Sequence, residues 1–179
     1  MKNKLNIKYG RDENDVMWGW EVDSIAPWLF GKGADIGCGL RSARVGAIRV
    51  DIDKKVEPEI LSSGEKLPFK DGELDYISSI HSFEHFERQK EVLKEWLRVV
   101  KVGGIIAIVH PDLDFTKKQN PEVDSAGLKQ NPYNKHYHEN TLKSLKAEIK
   151  EWDDLPFRLI DCGFACQGWS FRLILEKIK

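Results

Sequence analysis

Between Gly33 and Asp51 the chain reads GADIGCGLRSARVGAIRVD: a short apolar run, an acid, a glycine turn, a second apolar run and a second acid. Runs of this length, bounded by glycine and aspartate, suit strands buried on both faces. Gly37 and Gly39 can take positive φ and let the backbone approach a ligand, and Asp35 can accept hydrogen bonds from an ammonium or from loop amides. Asp51 follows Asp35 by 16 residues and closes the second run, where a carboxylate can hold both hydroxyls of a ribose. The ordered set of strand, acid, turn, strand and acid favours a nucleoside ligand over a turn whose aspartates only cap or solvate it.

The rest of the chain continues the alternation. LDYISSI and GIIAIVH are further strand-like runs. Between them Phe83, Phe86, Leu93, Trp96, Leu97 and Val100 recur at helical spacing, with Ser82 as an N-cap and Gly103 and Gly104 as a stop. EVDSIAPWLF and ENTLKSLKAEIKEW read as two more helices, and PFRLIDCGF with WSFRLILEKI as a terminal antiparallel pair. The expected fold is a three-layer α/β sandwich, Rossmann-like, on a mostly parallel sheet. Residues 1–179 are expected to form one domain, with residues 1–30 as a helical cover and residues 111–141, which lack periodicity, as a substrate-side loop.

Composition bounds the partners. A formal net charge of −1 gives no field that would gather nucleic acid or anionic lipid, and no apolar run approaches the roughly 20 residues of a membrane span. No nucleic-acid module and no membrane association are expected, the N-terminus shows no signal-peptide pattern, and the chain reads as soluble and cytoplasmic. Cys38, Cys162 and Cys166 form neither a disulfide framework nor a CxxC pair.

ADIGCG, RVDID, EKLPFKDGELDYISSIHSFEHF and EWLRVVKVGGIIAIVHPD, in this order, resemble the successive motifs of class I S-adenosylmethionine-dependent methyltransferases, in particular the small-molecule-type subgroup with LPF and EH signatures. The resemblance implies a seven-stranded sheet with an antiparallel last strand, S-adenosyl-L-methionine as cofactor, S-adenosyl-L-homocysteine as product, and a small-molecule acceptor. It places Asp35, Gly37 and Gly39 near the methionine end and Asp51 on the ribose. The candidate cofactor residues are Asp35, Gly37, Cys38, Gly39, Arg41, Asp51, Ile52, Ser63, Gly64, Glu65 and His81.

Three positions depart from the family pattern. Arg41 stands where a third glycine is common, and either pairs with the methionine carboxylate or projects into solvent. Leu40 to Ala47 is too short for the usual crossover helix. Ser63 occupies the place of the acid that often meets the adenine amino group, so adenine falls to the Ser63 hydroxyl or the Gly64 and Glu65 backbone.

His81 and His110 end the third and fourth runs, where a base would sit, and imidazole titrates near neutrality; each is alternatively a histidine bonded to a backbone carbonyl. His85 orients a helix start and Glu84 caps it. Asp112, Asp114, His136, Tyr137 and His138 could meet substrate, and His136, His138 and Asp112 could ligate a metal, but solvated loop histidines are the reading adopted, with no metal site. Trp18 and Trp20 are open between an aromatic wall and the core, and Trp28 reads as core. No Asn-Pro-Pro-Tyr-like sequence follows the third run, which argues against methylation of base or glutamine amino groups. The alternatives to a methyltransferase are a nucleoside-binding module without turnover and a nicotinamide-dependent oxidoreductase.

Overall fold

Inward-facing side chains on both sides of one sheet define the layers. The computed structural model describes residues 8–9, 15–114, 136–166 and 168–179. Its strands are β1 (Lys8–Tyr9), β2 (Gly33–Ile36), β3 (Arg41–Ser42), β4 (Ile48–Asp51), β5 (Ile60–Leu61), β6 (Leu74–Ile80), β7 (Val100–Pro111), β8 (Phe157–Cys166) and β9 (Ser170–Lys177), and its helices are α1 (Val16–Ile25), α2 (Gln89–Val99) and α3 (Leu142–Lys150). Seven strands form the main sheet in the order β5-β4-β2-β6-β7-β9-β8. Pairing is parallel from β5 through β7, and β9 runs antiparallel to both β7 and β8. The expected Rossmann-like three-layer α/β sandwich is therefore the observed one.

Successive strand residues point to opposite faces. Ala34, Ile36, Val50, Ile77, Ile106 and Phe171 face α2 and α3, packing with Leu93, Trp96, Leu97, Leu145 and Ile149. Tyr76, Ile80, Ala107, Val109 and Ile174 face α1, packing with Trp18, Val22 and Ile25, with Trp28 partly buried against them. The chain from β2 to β4 contains only β3, which pairs with β1, so the first crossover carries no helix.

The expected helix start at Ser82 lies too early. Phe83–His85 form a single 3₁₀ turn, Ser82 makes no side-chain cap, Phe86 is extended, and the α-helix begins at Gln89. The physical reason is competition for carbonyls. The Phe83 carbonyl accepts from Gln89 Nε2 at 2.9 Å, and the Glu84 carbonyl accepts from the Tyr137 and His138 N–H groups at 3.0 and 3.3 Å. Phe83 and Phe86 pack against Trp96 at centroid distances of 5.4 and 6.0 Å.

Of the expected substrate-side loop, residues 115–135 lie outside the described residues. Its described ends are held together by Leu113 N–H donating to the Asn140 carbonyl at 3.0 Å and by Leu142 N–H reaching Asp112 Oδ2 at 3.4 Å. Among the described residues no helix is long and apolar enough to cross a membrane.

Trp96 links this packing to the site, because its Nε1 donates to the Gly64 carbonyl at 2.9 Å from a fully buried ring. Trp96→Phe should cost about 1–2 kcal/mol for the lost bond and volume, and Trp96→Ala about 3–5 kcal/mol; urea unfolding of both variants checks the ranking.

Candidate active site

In open parallel sheets the ligand crevice lies at the carboxyl ends of the strands where strand order reverses. Here that point is β2, with β4 on one side and β6 on the other. Gly37 and Gly39 have φ of 70° and 51°, the left-handed region that favours glycine. A Cβ on Gly37 would stand 2.1 Å from Ser82 Oγ, while one on Gly39 would meet nothing within 4 Å.

The two peptide units that flank the Gly39 Cα are held by one strand. Its N–H donates to Asp51 Oδ2 at 2.9 Å, and its carbonyl accepts from Arg49 Nη2 at 2.6 Å. Arg49 and Asp51, two apart on β4, project from the same face. Arg49 is fully buried and also donates to the Val56 and Glu57 carbonyls at 2.8 and 3.0 Å. Asp51 Oδ1 accepts from Asp53 N–H at 2.8 Å. The carboxylate is thus oriented by two amides, and an ionised carboxylate retains further lone pairs for a ligand.

A cleft of about 550 Å³ opens beside this arrangement, lined among others by Gly37, Gly39, Asp51, Ile52, Ser63, Gly64, Glu65, His81, His85, Phe86 and Tyr137. This lies within the roughly 300–1,000 Å³ of small-molecule sites. Ile52 is half exposed and gives the cleft an apolar flank. Ser63 Oγ accepts from Glu65 N–H at 3.2 Å, and the Gly64 carbonyl is taken by Trp96.

Two further candidates lie behind the loop instead. Asp35 is buried, accepts from Ser78 Oγ at 3.0 Å and from Ala43 N–H at 3.3 Å, and so braces the loop through an amide. Burial pushes its carboxyl up to about 6, against the lowering effect of hydrogen bonding from the Ser42 and Ser78 hydroxyls and the Ala43 amide and of the Arg49 charge. The Cys38 thiol is pushed up to about 12 by burial, which leaves little thiolate at neutral pH. Arg41 is paired within the protein. Its Nη1 pairs with Asp15 Oδ2 at 2.5 Å, and its guanidinium lies 5.3 Å from the centroid of the Trp18 ring. Trp18, Asp35, Cys38 and Arg41 line a smaller recess that shares Gly37 and Gly39 with the cleft.

The histidines separate. His81 lines the cleft at φ 52°, and its Nε2 lies 2.6 Å from Glu21 Oε1, which also accepts from Ser170 Oγ at 2.6 Å. Burial acts to lower the His81 pKa, but the Glu21 hydrogen bond and the Glu21 and Glu84 charges outweigh it and hold the pKa above its ordinary value. His110, expected at the same edge, is fully buried outside the cleft lining, stacked on Phe171 at 5.1 Å, with Nδ1 2.8 Å from the Pro111 carbonyl; burial lowers its pKa. This corrects its place among base candidates, since the β7–β9 pairing encloses it. His136, His138 and Asp112 do not converge. His138 Nε2 lies 3.0 Å from the Glu87 carbonyl, Asp112 accepts from Asp114 and Leu142 amides, and His136 lies beside Glu84 and His85. Sequence reading missed Arg49, Glu21 and Glu84 as site groups. The available signal for Arg49 was a charge in an otherwise apolar strand, two residues before Asp51.

Residues 34–108 match the model of a methyltransferase domain family. Over 162 residues the chain is 30% identical to an uncharacterized protein of Methanocaldococcus jannaschii, covering 83% of this chain and 76% of that protein. The chain belongs to the class I S-adenosylmethionine-dependent methyltransferases. S-adenosyl-L-methionine is the cofactor of this methyltransferase. A 77-residue segment is 31% identical to the ubiquinone/menaquinone biosynthesis C-methyltransferase UbiE of Laribacter hongkongensis, covering 43% of this chain and 30% of that one. The methyltransferase fold is shared with a SAM-dependent methyltransferase from Archaeoglobus fulgidus (TM-score 0.61, 17% identity, 87% of this chain and 91% of that chain) and with the PH0226 protein from Pyrococcus horikoshii (TM-score 0.64, 19% identity, 93% and 94%).

Two outcomes follow for this methyltransferase. Arg49→Met removes the donor from three carbonyls and should cost about 2–4 kcal/mol in chemical denaturation. For Asp35 the folded pKa lies above the ordinary value of 3.8, so the native state binds the proton more tightly. Its ionisation therefore destabilises the fold above about pH 6, and the penalty is relieved as pH falls from about 6 towards 4. Relative to Asp35→Asn, the wild type should gain on the order of 2–3 kcal/mol over that window; parallel pH profiles of the urea midpoint would exclude this.

Proposed function

We propose that the chain transfers a methyl group from S-adenosyl-L-methionine to a small-molecule acceptor, a metabolite or biosynthetic intermediate, in the cytoplasm, and that the reaction takes place in the Gly37–Asp51–His81 cleft. One observation carries the reading: an Asp51 carboxylate at the end of β4, oriented by two backbone amides, on the wall of a cleft of about 550 Å³. The donor set fits the cofactor. A carboxylate at a strand end suits a ribose diol, the half-exposed Ile52 suits a flat base, and Gly37 and Gly39 allow the methionine end to approach the backbone.

When bound, the cofactor supplies a methyl group made electrophilic by its sulfonium, and the protein's contribution is chiefly position. Asp51 would take the ribose hydroxyls, and the Ser63 hydroxyl and the Gly64 and Glu65 backbone would meet the adenine edge. Asp35 acts one step back by holding Ala43 and with it the loop, with Cys38 contributing backbone alone. Arg41 would reach a carboxylate only by leaving Asp15. His81, with Nε2 committed to Glu21, and His85 are the histidines that line the cleft where an acceptor would sit. The nicotinamide alternative is disfavoured because the chain leaves Gly39 for the short strand β3, so the turn does not run into a helix whose N-terminus would receive a pyrophosphate.

Calorimetric titration with S-adenosylhomocysteine tests the site. Asp51→Ala should weaken binding by about 1–3 kcal/mol, roughly 5- to 150-fold, and unchanged affinity would remove Asp51 from it. Incubating metabolite extracts with methyl-labelled cofactor then tests turnover, since a binding module without catalysis would label nothing.

A further inference from the structure

Glu84 is the most exacting charge in the cleft region. It is 1% exposed, and its Oε2 has no hydrogen-bond partner among the described residues. A buried carboxylate oxygen left in that condition is costly unless a cation or donor meets it. Around its other oxygen, Oε1, three imidazoles converge: His136 Nε2 at 3.8 Å, His85 Nε2 at 3.9 Å and His81 Nδ1 at 3.9 Å. These separations are too long for hydrogen bonds. Ligand atoms of Glu84, His85 and His136 all lie within 4.8 Å of one another.

We propose that Glu84, His85 and His136 bind a divalent first-row transition-metal ion at the edge of the cleft. Ligands about 2.0–2.1 Å from a tetrahedral ion stand roughly 3.4 Å apart, so the two Glu84–histidine separations of 3.8 and 3.9 Å need to close by roughly half an ångström, and no pair in the group, all within 4.8 Å, by more than about 1.4 Å. Two imidazoles and one carboxylate form a donor set used by zinc and by non-haem iron, with positions left open for a further ligand.

The surroundings are arranged as such a site requires. Glu21, 2.6 Å from His81 Nε2, turns the other face of that ring toward Glu84, with Nδ1 3.9 Å from Oε1. His81 has the left-handed φ of 52°, a backbone cost that the fold sustains while placing this ring. His136 is brought in by the adjacent Tyr137 and His138 amides, both bonded to the Glu84 carbonyl. Because His81, His85 and Tyr137 line the cleft, an open coordination position would face an acceptor oxygen. That consequence rests on the proposed function, whereas the metal site itself does not.

The test uses the full chain stripped with a chelator, then titrated with Zn²⁺ by calorimetry and with Co²⁺ by visible absorption. One ion per chain should bind with micromolar or tighter affinity. Glu84→Gln and His136→Asn should each weaken it by about tenfold or more. S-adenosylhomocysteine titration of each variant reports whether the cleft is intact. Wild-type protein that takes up neither ion, or Glu84 and His136 variants with unchanged affinity, overturns the site, and the wild-type titration decides even where a variant fails to fold. Metal uptake without cofactor binding supports the metal site and overturns only the reading of the cleft; cofactor binding without metal uptake does the reverse.

Discussion

The anchoring of Gly39 through both its N–H and its carbonyl sets the geometry of this methyltransferase's glycine turn. The strand that carries Asp51, which accepts from the Gly39 N–H, also carries Arg49, which donates to the Gly39 carbonyl in the next peptide, so the turn cannot shift without moving β4 or breaking bonds to a buried guanidinium. This explains how a crossover without a helix can stay in shape. Where a longer connection would rest a helix against the sheet, this chain uses side chains of β4 from one side and the buried Asp35 from the other. Both devices work in little solvent, where charge-assisted hydrogen bonds are strongest and unpaired groups most costly.

Most of the fold was legible in the sequence because the signals were local and repeated. The apolar runs of β2, β4, β6 and β7 had strand length and turn boundaries, and the missing first crossover helix followed from the few residues between Leu40 and Ala47. The start of α2 was misplaced because its rivals are distant. The carbonyls that would have begun a helix at Ser82 are bonded to a glutamine side chain and to amides of residues 137 and 138. No window around Ser82 contains that information.

The site was legible in its frame and not in its polar interior. Gly37, Gly39 and Asp51 stand out as residue types whose spacing has a physical meaning. Arg49 does not, since a charge in a strand ordinarily reads as solvent-facing, and here it is among the most buried side chains. Glu21, His81 and Ser170 meet across 60 and 149 residues of chain, so the contact exists only once α1 and β9 have docked. His110 shows the converse. A strand-end histidine carries the same sequence signature whether it faces a cleft or the sheet beside it, and the register with Phe171 decided the outcome.

The position of β9 has a consequence for how the molecule comes to be built. It is made after β8 yet lies inside it, between β8 and β7. During synthesis β8 has no sheet neighbour, and the long β7 shows an open edge, until β9 has left the ribosome. Growth order and pairing order therefore part company in this half of the sheet. The wait exposes apolar strands to wrong partners, a hazard of non-local β pairing. It falls on the half of the sheet away from the glycine turn, whose strands β4, β2 and β6 are already made.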